Sequence, residues 1–238
     1  MSAPQPKKAK PQTGRRTRAG RPRLGKETGR ETILANALPC FARRGYHGVN
    51  IRDLAQQAGV NIALANYHFG SKAALWQACL ERLQSSASGP LAEIGVLAAA
   101  ALPYPRRLVG TYASFIRFNA DLPDYGLFIL QEMLQPGERQ DLVKTVLIDP
   151  FREAVTPLLS EGVEKGFLRT RDVSLLFFTH SIAISHVVAG QGLLAPFFTP
   201  ETRKEQTLKE LLAMMVRSAT GSLPAEFAEE IETAYAHV

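Results

Sequence analysis

From Gly29 the apolar residues Ile33, Leu34, Ala37, Leu38, Phe41 and Ala42 recur at intervals of three and four, the period of a helix that buries one stripe. The stripe stops at Gly45 after Arg43 and Arg44, so a first helix is expected there. Asn50, followed three residues later by Asp53, opens a short second helix through Leu54, Ala55 and Ala58 that ends at Gly59. A third short helix runs from Asn61 to Phe69. Ser71 then caps a fourth, which carries Ala74, Leu75, Ala78, Cys79 and Leu83 inward.

Beyond Ser85 the helical period continues, and no alternating segment bounded by turn residues argues a strand. Breaks at Ser88, Gly89 and Pro90, at Pro103, Pro123, Pro136 and Gly137, Gly166, Gly190 to Pro200, and Gly221 to Pro224 predict helices near 91–101, 104–121, 124–135, 138–165, 172–189, 202–219 and 224–236. The fold class is therefore all-α. No period of twenty to fifty residues suggests a solenoid. Pro39 removes a helical hydrogen bond inside the first helix and should bend it.

Composition sharpens this picture at one end of the chain. The 238 residues are 45% hydrophobic and 21% charged, as in a globular protein with a core of its own. Nine of the 28 bases lie between Met1 and Lys26 with no acid among them; the remaining 19 bases against 22 acids leave a slightly acidic body. Residues 1–27, rich in Pro, Gly, Lys and Arg, read as a disordered basic arm suited to a polyanion such as nucleic acid. Within it, Arg18, Gly20, Arg21, Pro22 and Arg23 resemble the core of an AT-hook, which would lay Arg21 in a narrow minor groove. A solvated charge run that raises non-specific affinity fits the same residues.

The segment from Ile51 to Phe69 is helix, sharp glycine turn, helix. Gly59 permits the left-handed turn, and Leu54, Ala55, Val60, Ala65 and Phe69 fill the angle. The outward face of the second helix is then available to a major groove. An ordinary helical hairpin would explain the glycine and the apolar residues, but not the run Asn66, Tyr67, His68 or the adjacent arm.

Thr32 to Leu34, Phe41 to Tyr46, Ile51 to Ala55, Ala58 to Val60 and Asn66 to Lys72 together resemble the DNA-binding domain of the tetracycline-repressor (TetR) family, over about residues 29–84. The rest of the chain resembles the family in length, helical character and helix order. The resemblance implies a DNA-binding domain over 28–84 and a ligand-binding and dimerisation domain over 85–238. It further implies a cytoplasmic homodimer that binds a near-palindromic double-stranded operator, releasing it when a small molecule fills the C-terminal bundle. By position, Ile62, Ala63, Leu64, Asn66 and Tyr67 would face base edges, while Asn50, Asn61, Tyr67, His68 and Lys72 would hold phosphates. Ile62 and Leu64 stand where the family usually has polar residues, so readout is expected to lean on methyl contacts and DNA shape.

An apolar or amphipathic effector is expected among Phe115, Phe118, Phe128, Met133, Phe177 and His180. The dimer-forming pair of helices would present Phe178, Ile182 and His186 from the first, and Leu208, Leu211, Leu212 and Met215 from the second. His180 and His186 are six apart and point to different faces, not a zinc pair. Cys40 and Cys79 make neither a disulfide framework nor a zinc ribbon, and no leader-like apolar run follows the basic N-terminus, which favours the cytosol. Residues Val173 to Gln191 lack charge, yet His180, Ser181, Ser185, His186 and Gly190 favour a buried or interface helix over a membrane span. No catalytic motif, metal set or cofactor loop occurs. The competing readings are an all-α enzyme or adaptor containing a helix-turn-helix, and a ligand-independent DNA-binding protein or activator.

Overall fold

The structure is a computed structural model and describes residues 26–190 and 204–235. All its regular elements there are helices: α1 (Lys26–Arg44), α2 (Ile51–Gln57), α3 (Ile62–Phe69), α4 (Lys72–Ala99), α5 (Tyr104–Asp121), α6 (Pro123–Met133), α7 (Glu138–Val143), α8 (Asp149–Glu164), α9 (Val173–Ala189), α10 (Lys204–Thr220) and α11 (Ala225–Tyr235). The all-α expectation holds. None of the described helices is long and apolar enough to cross a membrane.

The polar N-caps work as the sequence suggests. Asn50, Asn61 and Ser71 accept from the backbone N–H groups of Arg52, Ala63 and Ala74, satisfying donors that a helix start leaves open. Asp172 does the same for α9 through Leu175. Helices α1 to α3 fold over the start of α4, sealing Ile33, Leu34, Phe41, Leu54, Ala65 and Leu75 from solvent. The rest is a bundle around α5, which packs against α4, α9, α10 and α11.

Two expected boundaries are wrong. The break at Ser88, Gly89 and Pro90 does not occur, and α4 continues to Ala99. Interior proline costs about 3 kcal/mol and glycine about 1. Burial of Leu83, Ala87, Ile94 and Ala98 against α5 and α8 offsets that local penalty. The division at residue 84 consequently falls inside a continuous helix. The segment 138–165 is also not one regular helix: residues Lys144–Ile148 form a π-turn in which Asp149 N–H reaches Lys144 O. Pro150 follows at once; it cannot donate to the carbonyl four residues back, which explains why the ladder slips there. Helix α1 begins at Lys26, so the last residues assigned to the arm are helical, and it runs through Pro39 to Arg44.

Candidate DNA interface and effector cavity

Gly59 has φ of 66°, the left-handed value that turns α2 into α3. On α3 the exposed residues are Ile62, Ala63, Asn66 and Tyr67, the last 66% exposed. At 100° per residue these four share one side, so part of the expected base-facing set is brought together. Asn50 and Asn61 are exposed at the flanks; their Oδ1 atoms cap helices, leaving the Nδ2 groups as donors for an anion.

Leu64 and His68 do not join that face. Both are half-buried on the opposite side of α3, against α1: a Cβ placed on Gly29 would lie 3.0 Å from Leu64 Cδ2 and 3.6 Å from His68 Nε2. Their spacing of four puts them one above the other, and packing on α1 takes them from solvent. Lys72 is also held. Its Nζ donates to His47 O at 3.5 Å and lies 4.6 Å from the centre of the Tyr46 ring, on the α1–α2 turn. Burial, and then the nearby Arg139 cation, lower the Lys72 pKa. Arg21 lies outside the described residues.

The junction between α1–α4 and the bundle is made by α6. Tyr46 is covered on its ring by Arg139 as well, 4.0 Å from the centre. Arg139 Nε donates to Glu132 Oε2 at 3.0 Å, and Trp76 Nε1 donates to Glu132 Oε1 at 3.1 Å. Glu132 is only 2% exposed, so its carboxylate depends on those two donors. Trp76 also stacks on Phe128, centroids 5.5 Å apart. Sequence reasoning missed this cluster entirely, because Trp76 and Glu132 are 56 residues apart and a glutamate near a helix end reads as solvated.

Two small cavities occupy the bundle. The outer one, about 50 Å³, lies between α6, α8 and α9 and is bordered by Gly126, Ile129, Met133, Phe178, Ile182 and His186. The inner one, about 40 Å³, is bordered by Ile94, Thr111, Tyr112, Val155 and His180. Phe115, Phe151, Phe177 and Ser181 border both and form the partition. Of the expected effector residues, Phe115, Met133, Phe177 and His180 line this space. Phe118 and Phe128 do not. Phe118 sits behind the wall, 4.7 Å from the Tyr125 ring and stacked on Phe151, whereas Phe128 turns to Trp76.

Residues 33–79, spanning α1 to the first turns of α4, match the model of bacterial regulatory proteins of the tetR family. That segment is similar to the helix-turn-helix region of the tetR family. The chain is 40% identical over 149 residues to the HTH-type transcriptional regulatory protein RaaS of Mycobacterium tuberculosis, a match that spans 60% of each chain. It is 27% identical over 167 residues to the HTH-type transcriptional dual regulator CecR of Shigella flexneri, covering 66% of this chain and 73% of that protein. Among solved structures, the ketosteroid transcriptional regulator KstR2 of Mycobacterium tuberculosis superposes with a TM-score of 0.60 at 20% identity, over 80% of this chain and 94% of that one. That likeness establishes the fold alone. Both of these curated relatives, RaaS and CecR, are transcriptional regulators rather than enzymes.

Of the residues expected to pair two protomers, only some are exposed. On α9, Leu175, Phe178, Ile182 and His186 follow helical spacing, with Leu175 63% and Ile182 41% exposed. On α10, however, Leu208, Leu211, Leu212 and Met215 are buried in the chain's own core. Their stripe packs inward on α5 and α11, and the apolar residue that α10 turns outward is Met214. Cys79 is buried, which pushes its thiol up to about 12 and leaves it unreactive; Cys40 rests beside Gln57.

Proposed function

We propose that this chain is a DNA-binding transcriptional repressor of the cytoplasm that works as a two-fold dimer on a near-palindromic operator and is released by a small, largely apolar effector. One observation carries the reading: capped helices α2 and α3 cross at Gly59 so that Ile62, Ala63, Asn66 and Tyr67 form one exposed face. A helix of this kind fits a major groove, with Asn66 suited to adenine and Ile62 and Ala63 to thymine methyls. Asn50, Asn61 and Lys72 flank that face as phosphate donors, and the basic arm adds counter-charge. The similarity to the transcriptional regulators RaaS and CecR supports the regulatory class. The dimer is supported by the exposed apolar residues of α9 together with Met214.

In this reading effector release acts through α6, which borders the outer cavity through Gly126, Ile129 and Met133 and holds Trp76 of α4 through Glu132. A ligand that displaces α6 also moves α4, and with it the spacing of the two recognition helices in the dimer. Genomic footprinting of the purified protein, followed by anisotropy titration of the recovered duplexes across a salt series, tests the reading. A few preferred near-palindromic sites with steep salt dependence are expected. Equal affinity for every genomic duplex would overturn it.

A further inference from the structure

Thr111 is 7% exposed and borders the inner cavity, yet its Oγ1 has no hydrogen-bond partner among the described residues. A helical threonine ordinarily returns its hydroxyl to the carbonyl four residues back, as Thr156, Thr220 and Thr233 do here on Arg152, Val216 and Glu229. Thr111 stands apart from them. A buried hydroxyl left unpaired is costly, and in a binding cavity it marks a place where a ligand atom completes the bond.

Tyr112 and His180 border the same cavity, with Tyr112 OH and His180 Nδ1 2.6 Å apart. His180 Nε2 lies 3.3 Å from Ser218 Oγ. The pair can donate in either direction. With the imidazole protonated at Nε2, Tyr112 donates inward and keeps oxygen lone pairs for a ligand; with Nδ1 protonated, the phenol hydrogen is released to the ligand. Burial keeps His180 neutral. No Lys, Arg, Asp or Glu borders either cavity among the described residues, and the nearby Arg107 is taken by Glu161 and by the carbonyls of Ala98 and Leu102.

We infer that the two cavities are the ends of one elongated site for an uncharged ligand, whose single neutral oxygen function binds Thr111 and the Tyr112–His180 pair while its hydrocarbon tail runs outward past Phe115, Phe151 and Phe177. This rests on the reading of the chain as an effector-released regulator and names the effector's chemistry. An ionised head would enter a cavity with no compensating charge and is rejected. Cavities of about 40 and 50 Å³ accept only a few atoms each, so the tail has to turn the partition rings aside. The displaced volume bears on Gly126, Ile129 and Met133, the wall that α6 contributes.

Calorimetric titration of the full chain with 2-undecanone, 1-decanol and decanoate at pH 8 tests the inference without DNA. The ketone and the alcohol should bind, with decanoate at least about tenfold weaker. Thr111→Val, equal in shape, should weaken the ketone by about fivefold to tenfold while the melting temperature stays level or rises, since an unsatisfied hydroxyl is removed. A threonine with a purely structural role would instead lower the melting temperature and leave the ketone alone. Decanoate binding as tightly as decanol, unchanged ketone affinity in Thr111→Val, or binding of no probe would each overturn the inference. Ketone binding without any preferred genomic site would remove the regulatory reading and keep the ligand site; preferred sites without probe binding would do the reverse.

Discussion

Trp76 of α4 donates its indole N–H to Glu132 of α6 across 3.1 Å, inside the junction between the helix-turn-helix and the bundle. The same carboxylate accepts from Arg139, whose guanidinium covers Tyr46 on the α1–α2 turn. A buried carboxylate with two donors tolerates little displacement, so it ties α6 to the helix-turn-helix domain as one body.

Trp76→Phe keeps most of the ring packing on Phe128 but strips one donor from Glu132, and should destabilise the fold by about 1–3 kcal/mol. Combined with Arg139→Met, the loss should depart from the sum of the single losses by about 0.5–3 kcal/mol. Urea unfolding of the four proteins measures it; strict additivity would show that the two donors do not share Glu132.

On α3, Asn66→Ala should relax one base position by about 1–3 kcal/mol, whereas Tyr67→Ala should weaken all duplexes alike. Leu64→Ala should leave sequence preference intact and cost about 1–3 kcal/mol of stability, because Leu64 packs on α1 at Gly29. Anisotropy with single-base operator variants, beside thermal melts, separates the two classes.

Gly126 lies where α6 crosses α9, and a Cβ there would overlap the Ser185 side chain. Gly126→Ala should therefore cost about 1–3 kcal/mol and disturb the bond from Ser185 to Asn119, 2.8 Å in the present structure. Adding Ser185→Gly should recover part of the loss. A double variant no more stable than Gly126→Ala would show that the helices separate for another reason.

Acid should unmask Glu161. Hydrogen bonds from Arg107 and then Lys165 hold its carboxyl at about 2, below the ordinary 4.5. The folded value is the depressed one, so this contribution is complete above about pH 4.5 and is lost as pH falls toward 2. Glu161→Gln should accordingly be clearly less stable than the parent at pH 7 and approach it at pH 3, by denaturant unfolding at both values. An equal gap at the two pH values would contradict the pairing.

Deleting residues 2–25 removes eight of the arm's nine cations and should flatten the salt slope of duplex binding by roughly 0.9 per lost phosphate contact. Loss of preference for A·T-rich flanks as well would assign Arg21 to the minor groove; a flatter slope with unchanged preference would leave a simple charge run.

The local code determined the recognition unit. Asn50, Asn61 and Ser71 cap helices by contacts two or three residues away, and Gly59 turns the chain through its own φ, so these features are readable without knowing what packs on them. The all-α class is legible for the same reason, since helical periodicity is short-range. Tertiary structure decided the rest. The apolar stripe of α10 announces burial but not its partner, and Leu208, Leu211, Leu212 and Met215 went into the chain's own core instead of toward a second copy. Pro90 signals a stop that packing on α5 and α8 overrides. The helical period alone sets Leu64 and His68 on the other side of α3 from the exposed face, and only the position of α1 decides that this side is covered. The buried carboxylate of Glu132 and the hydroxyl of Thr111, unpaired among the described residues, owe their meaning to groups 56 residues away or to a cavity between helices, because burial is a property of the assembled helices and not of any one segment.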